Sequence, residues 1–191
     1  MKKIMFNDKF YLTQAVLNGN KTQTRRIVKD NVSFGNWEET LKHAPYQIGE
    51  TLCVAMSYEN IYYRIKDTWE YAEEYRQKKE HLAGWKNKMF TDTSMPFGKI
   101  RITNVRVERL QDISDEDCLK EGVKFVGKLK ADGVNDYFFN VLPTPKHPNS
   151  NIVGLFNSPR VAYAELLDRV SGKGTWKANP FVWVYDFELV K

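Results

Sequence analysis

Apolar and polar positions change period several times along the chain, which predicts a mixed α+β fold. Helices are expected where apolar residues recur at helical spacing between a cap residue and a glycine stop. Three segments fit this description: Tyr11–Asn18 before Gly19, a helix opening at Ser114 and ending at Gly122, and a helix opening at Ser158-Pro159 and ending at Gly172.

Strands are predicted where apolar residues alternate with polar ones or form short runs. They are Thr51–Met56, Tyr62–Ile65, Lys99–Leu110 and Phe181–Val190. In Lys99–Leu110 the apolar phase changes near Asn104, which predicts a bulge or a strong bend. The last segment is apolar in both phases, so it is expected to be a central, buried strand.

The remaining segments are predicted to be loops, apart from one helical insertion into the β scaffold. Residues 67–82 hold many helix formers and alternating charges, which predicts a surface helix within an insertion at about residues 60–95. Polar residues 31–44 and the Pro- and Gly-containing residues 127–151 are expected to be loops. The sum predicts one domain over residues 1–191, a small mixed β-barrel with helices at its ends.

Composition narrows the class of protein. The chain has 191 residues, of which 42% are hydrophobic and 28% charged, so it is neither disordered nor embedded in a membrane. No apolar run approaches the ~20 residues that span a bilayer, and no signal-peptide segment follows the first residues. Cys53 and Cys118 form no zinc pattern or disulfide framework, and the three histidines have no ligand spacing. We therefore expect a cytoplasmic protein without a metal or other cofactor.

The charge is unevenly distributed. The net charge is +5, and residues 1–30 alone hold seven basic and two acidic groups, whereas residues 31–191 hold 22 of each sign. A local group of cations on a neutral body indicates one anion-facing site. The alternative is a terminus whose charges only keep the protein soluble.

The segment from Gly19 to Arg26 joins a predicted helix to an extended stretch, where functional loops are commonly built. In an extended conformation, alternate residues from Lys21 to Arg25 face one way, and those from Thr22 to Arg26 face the other. A turn near Lys21 would instead bring Lys21 and Thr24 together. A third alternative is a basic strand with two solvated arginines.

This segment, Gly19-Asn20-Lys21-Thr22-Gln23-Thr24-Arg25-Arg26, resembles the signature of the ASCH domain (activating signal cointegrator homology), a branch of the PUA-like superfamily. Residues 46–52 and 105–114 resemble further stretches of this domain, and residues 176–184 resemble the terminal strand of the version that is common in bacteriophages and prophages. The resemblance spans nearly the whole chain, with gaps mainly at 60–95 and 127–150.

The resemblance implies a PUA-like β-barrel with flanking helices and a basic cleft. The superfamily is linked to RNA and to modified nucleobases, which implies that Lys21, Thr22, Arg25 and Arg26 contact RNA, single-stranded nucleic acid or a modified nucleoside. Some small bacterial ASCH proteins are amidohydrolases that deacylate N4-acetylcytidine. Their catalytic set corresponds to Lys21, Thr24 and Glu121 here. A chain of this type would act in the cytoplasm of a bacterium or a phage-infected host cell.

The sequence favours a protein that binds nucleic acid or a nucleotide-like ligand, with a hydrolase and a phage accessory protein as the alternatives. A binding module would use the basic segment for phosphates and aromatics such as Trp37, Tyr58 or Trp85 for stacking. A hydrolase would use the lysine, threonine and glutamate, although Glu121 is equally interpreted as an exposed acid at a helix end. A phage accessory protein without catalysis would present Trp69, Tyr71 and Tyr75 to a protein partner.

Overall fold

A computed structural model describes residues 1–29, 36–93, 97–131, 134–140 and 156–190. The strands of these residues are β1 (Lys3–Ile4), β2 (Gln23–Ile27), β3 (Thr51–Val54), β4 (Lys99–Arg109), β5 (Lys124–Ala131), β6 (Val134–Asn140) and β7 (Phe181–Val190). The helices are α1 (Leu12–Leu17), α2 (Trp37–Lys42), α3 (Tyr58–Ile65), α4 (Ala72–Lys79), α5 (Asp115–Lys120), α6 (Pro159–Ser171) and α7 (Thr175–Ala178). The predicted α+β class is confirmed.

Five strands form a mixed sheet in the order β1-β3-β4-β7-β2, and β5 pairs with β6 in a separate hairpin. In the sheet β1 runs parallel to β3, whereas β2 runs antiparallel to β7. The central position predicted for β7 is confirmed, since it lies between β4 and β2. The order leaves β1 and β2 at the edges, so within the described residues the sheet is open and does not close into the predicted barrel.

The chain contacts divide the molecule into two units. The first unit contains residues 1–6 and 51–100, and the second unit contains residues 7–50 and 101–189. Apolar side chains such as Ile4, Leu52 and Ile61 are buried in the first unit, and Leu110, Tyr163 and Leu166 are buried in the second. The prediction of one domain over residues 1–191 stays a prediction.

The strand predicted at Tyr62–Ile65 is wrong, because these residues end helix α3. The Ser57 hydroxyl accepts a hydrogen bond from the backbone N–H of Asn60 at 3.2 Å and so caps the first turn. Tyr58, Ile61 and Ile65 then lie on one buried helical face. The cap and this spacing outweigh the strand preference of the β-branched and aromatic residues.

Two other predicted segments also differ from the structure. The helix expected over 67–82 is formed only by α4, which begins after Tyr71. The loop expected over 31–44 contains α2, which Asn36 caps through its side chain with two glutamates in the first turn, while residues 31–35 lie outside the described part. The expected loop over 127–151 is in part the β5–β6 hairpin, and residues 141–151 lie outside the described part.

The remaining elements follow the predictions closely. Both Ser114 and Ser158 cap their helices through the side-chain hydroxyl, and Gly172 follows the end of α6. In β4 the buried positions Ile100 and Ile102 give way to Val105, which is the predicted change of phase near Asn104. Among the described residues, every helix is too short or too polar to cross a bilayer.

Candidate functional site

The predicted catalytic lysine is fixed by the turn that follows α1. Gly19 adopts a positive φ of +72°, which lets the chain reverse after the helix. The backbone N–H groups of Asn20 and Lys21 then both donate to the carbonyl oxygen of Ala15, at 2.8 and 3.1 Å. The N–H of Thr22 donates to the carbonyl of Lys120 at the end of α5. These bonds place the start of β2 directly beside the end of α5.

Lys21 and Glu121 form a buried ion pair at this place. The Lys21 Nζ atom donates to Glu121 Oε2 at 2.5 Å and to the backbone carbonyl oxygen of the same residue at 2.8 Å. The two residues are only 2% and 4% exposed. The interpretation of Glu121 as an exposed helix-end acid is therefore wrong.

Arg25 is bound by three carboxylates. Its Nε and Nη2 atoms donate to Glu108 Oε1 at 3.1 and 2.6 Å, and Nη2 also reaches Asp117 Oδ2 at 3.1 Å. Its Nη1 atom donates to Glu121 Oε1 at 3.2 Å and to the side-chain oxygen of Gln23. Arg25 is buried, so the alternative of a solvated arginine is wrong for this residue.

A second arginine closes the network on its more exposed side. Arg106 Nη1 donates to Asp186 Oδ2 at 2.9 Å and Nε donates to Glu108 Oε2 at 3.1 Å, while Nη2 contacts Asp117. We call Glu108, Asp117, Glu121 and Asp186 the carboxylate cluster. It faces the same number of cations: Lys21, Arg25, Arg106 and Lys120. The charges of Lys21 and Arg25 are thus balanced within the second unit.

The strand alternation separates Thr24 from this network. Thr24 pairs with Tyr185 of β7, one position away from the pairs made by Gln23 and Arg25. Successive side chains of a strand point to opposite faces, so Thr24 lies on the face of β2 opposite to Gln23 and Arg25. Thr24 is buried, whereas Thr22 and Arg26 are half-buried.

The geometry therefore matches the extended alternative for this segment. Lys21, Gln23 and Arg25 converge on one network, and the turn that would join Lys21 to Thr24 is not formed. Of the three predicted catalytic residues, the structure brings Lys21 and Glu121 together and places Thr24 on the other face of β2. Of the predicted ligand contacts, Lys21 and Arg25 are enclosed by carboxylates.

Most of the carboxylate cluster was missed from the sequence. Asp117, in the first turn of α5, and Glu121, directly after its last residue, are four residues apart, a spacing that puts both on one helical face, and this signal was available. Glu108 lies two residues after Arg106 on β4, so the two residues share one face of that strand. Their meeting with Arg25 is a long-range contact that no local pattern encodes.

The electrostatic environment changes the proton affinity of the groups in the network. Burial lowers the pKa of Lys21 below 10.5, although its contact with Glu121 acts in the opposite direction. Burial, reinforced by the charge of Glu121, raises the pKa of Tyr163 well above its ordinary value. At Asp117 burial alone would raise the pKa, but hydrogen bonds from Lys120 and Arg25 hold it below 3.8.

The lowered pKa of Lys21 predicts a pH dependence of stability. Between the folded pKa and 10.5 the unfolded chain binds a proton that the folded chain does not bind, so the contribution of Lys21 to stability rises with pH in that window. We expect the free energy of unfolding of the wild type to increase relative to that of Lys21→Met as the pH is raised toward 10.5. Urea denaturation at successive pH values measures this. Lys42→Met is the control, because Lys42 is an exposed lysine that pairs with Glu39. Parallel pH profiles for the wild type and Lys21→Met would contradict the prediction.

Within the described residues, His, Cys, Asp and Glu side chains form no group that would hold a metal ion, and His147 lies outside that part. The side chain of Trp37, one of the expected stacking aromatics, also lies outside it.

Comparisons of the chain with protein-family models, with curated proteins and with solved structures found no match.

Proposed function

We propose that this chain is a PUA-like ASCH protein and an amidohydrolase that removes the acyl group from an N-acylated nucleoside such as N4-acetylcytidine. The observation that carries the proposal is the buried contact between Lys21 Nζ and Glu121 Oε2 at 2.5 Å. Burial of both side chains and a lowered pKa of Lys21 favour proton transfer from the lysine.

The balanced charges of the network favour a nucleoside over a nucleic-acid backbone as the ligand of this site. A phosphate would have to displace Glu108, Asp117 or Glu121 from Arg25 in order to bind it. It would also approach a cluster of negative charges. A neutral base with an exocyclic amide avoids this repulsion, so phosphate binding by Lys21 and Arg25 is the less supported prediction.

The proposed reaction consumes one water and releases an amine and a carboxylic acid, which then gives its proton to the solvent and becomes a carboxylate. Glu121 accepts a proton from the attacking water as its oxygen adds to the amide carbon. Lys21 donates a proton to the leaving nitrogen as the carbon–nitrogen bond breaks. The proton on Glu121 then returns to Lys21 across their hydrogen bond, which restores both groups. Water is preferred as the nucleophile because Thr24 lies on the other face of β2.

Release of acetate from N4-acetylcytidine by the purified full chain tests the proposal. We expect turnover by the wild type, and a loss of about 100-fold or more in Lys21→Met and Glu121→Gln, the range of general acid–base catalysis. Thr24→Val distinguishes the two nucleophiles, because activity survives it if water attacks. Lys42→Met is the matched control in an exposed lysine–glutamate pair.

The absence of turnover by the wild type at high enzyme concentration would overturn the assignment of this substrate. Full activity of Lys21→Met together with Glu121→Gln would overturn the assignment of the pair. Full activity of Lys21→Met alone would leave Glu121 as the only acid–base group and would contradict the role of the lysine.

A further inference from the structure

A surface cavity of about 330 Å³ lies in the first unit, away in sequence from the carboxylate cluster. It is formed by the turn before α4 and by α4 itself, and is lined by Trp69, Tyr71, Glu74, Tyr75, Lys78 and Lys79. Its volume lies at the lower end of the range for ligand sites, about 300–1,000 Å³. A cavity of this size suits one planar ring system.

Three aromatic rings enclose the cavity at steep angles to each other. The Trp69 and Tyr71 ring centroids are 6.0 Å apart at 67°, and those of Trp69 and Tyr75 are 6.3 Å apart at 61°. Trp69 is 37% and Tyr71 53% exposed, whereas Tyr75 is buried in the first unit. The two outer rings therefore offer faces on which a planar ligand can stack, and the inner ring holds them in place.

The lysines at the cavity are held by weak partners. Lys78 Nζ pairs with Glu74 at 2.5 Å within α4, and Lys79 Nζ pairs with Asp92 at 3.3 Å while lying 4.6 Å from the centroid of the Tyr58 ring. Exposed ion pairs of this kind contribute little to stability, so a phosphate can replace the carboxylate at small cost. With Asp92 counted beside the two lysines and the glutamate of the lining, the charges balance, so a phosphate binds by taking the place of a carboxylate.

We propose that this cavity binds a base of single-stranded nucleic acid, with the base stacked on Trp69 or Tyr71 and the adjoining phosphate on Lys78. Aromatic faces beside lysines are the combination that binds single strands without sequence preference. Aromatic residues are also enriched at protein interfaces, but lysine is depleted there, so it is the two lysines that favour a nucleic acid over a protein partner. The site is independent of the amidohydrolase proposal, because all its residues belong to the first unit.

Binding of a fluorescently labelled single-stranded RNA or DNA oligonucleotide to the full chain, followed by anisotropy, tests the proposal. We expect wild-type affinity to fall as salt is raised. Trp69→Ala with Tyr71→Ala should weaken binding about tenfold, as expected for the loss of one stacked base. Lys78→Glu should weaken binding and flatten its salt dependence, with the aromatic rings intact.

Phe90→Ala is the matched control, because Phe90 is 63% exposed in the same unit but does not line the cavity. Lys42→Met, in an exposed lysine outside both proposed sites, should bind the oligonucleotide like the wild type. The proposal would be overturned if the wild-type chain bound no oligonucleotide. It would also be overturned if Phe90→Ala lost as much affinity as Trp69→Ala with Tyr71→Ala. If the double alanine variant unfolds, unchanged affinity and salt dependence in Lys78→Glu decide against the site. Unchanged oligonucleotide binding in the folded alanine variant would overturn the proposal too and would leave a protein partner as the occupant of the cavity.

Discussion

Replacement of Glu121 by alanine should lower the free energy of unfolding by about 3–5 kcal/mol, the usual cost of breaking a buried ion pair. Both carboxylate oxygens are in use, since Oε2 accepts from Lys21 and Oε1 accepts from Arg25. The variant would leave two buried cations with fewer partners and would open a small cavity between them. Urea denaturation followed by circular dichroism measures the change.

The control for this prediction is Glu116→Ala, an exposed glutamate in the first turn of the same helix, which should change stability little. The double variant Lys21→Met with Glu121→Ala should regain part of the loss, because removing both partners costs less than removing one. Wild-type stability in Glu121→Ala would contradict the buried pair.

Replacement of Arg25 by alanine should also destabilise the fold by about 3–5 kcal/mol, because Glu108, Asp117 and Glu121 would then face each other without the cation between them. The loss should shrink on acidification. In the wild type the lowered pKa of Asp117 supplies stability above 3.8 that is lost as the pH falls through the folded pKa. In the variant Asp117 loses its hydrogen bond from Arg25, so this contribution is smaller and the difference between the two proteins narrows as the pH falls.

Arg76→Ala is a matched comparison for Arg25→Ala. Arg76 also contacts two carboxylates, those of Glu73 and Glu80, but all three side chains lie on the exposed surface of α4 and its end. We expect a much smaller loss there, since water screens the charges. Equal losses in the two variants, measured by urea denaturation, would show that burial of Arg25 adds nothing.

The elements that could be predicted are those whose signals are local. The serine caps of α5 and α6 and the alternation in β4 depend on neighbouring residues, and the structure confirms them. The failure at α3 has a local cause as well, since the Ser57 cap was overlooked beside residues with strand preference. The β5–β6 hairpin was hidden by glycines that indicate turns as readily as strands.

The site shows a different limit of prediction. The surplus of basic residues near the N-terminus indicated an open, anion-facing surface, but the acids that neutralise Lys21 and Arg25 lie about a hundred residues further on. Net charge along a sequence does not record such pairing, because it arises only when α5 and β4 meet β2. Lys21 and Glu121 were nevertheless selected from the resemblance to the ASCH domain, and they form a buried contact at 2.5 Å.

The two outer strands of the sheet have a consequence for how copies of this protein meet. An unpaired strand edge is a template on which another chain can add a strand and begin to aggregate. Here one border, β1, offers only two residues, and the other, β2, carries the half-buried Arg26 next to the buried Arg25. A short edge strand and a charged one both disfavour pairing of the sheet with the sheet of another molecule. The sheet can therefore stay open without promoting fibre formation.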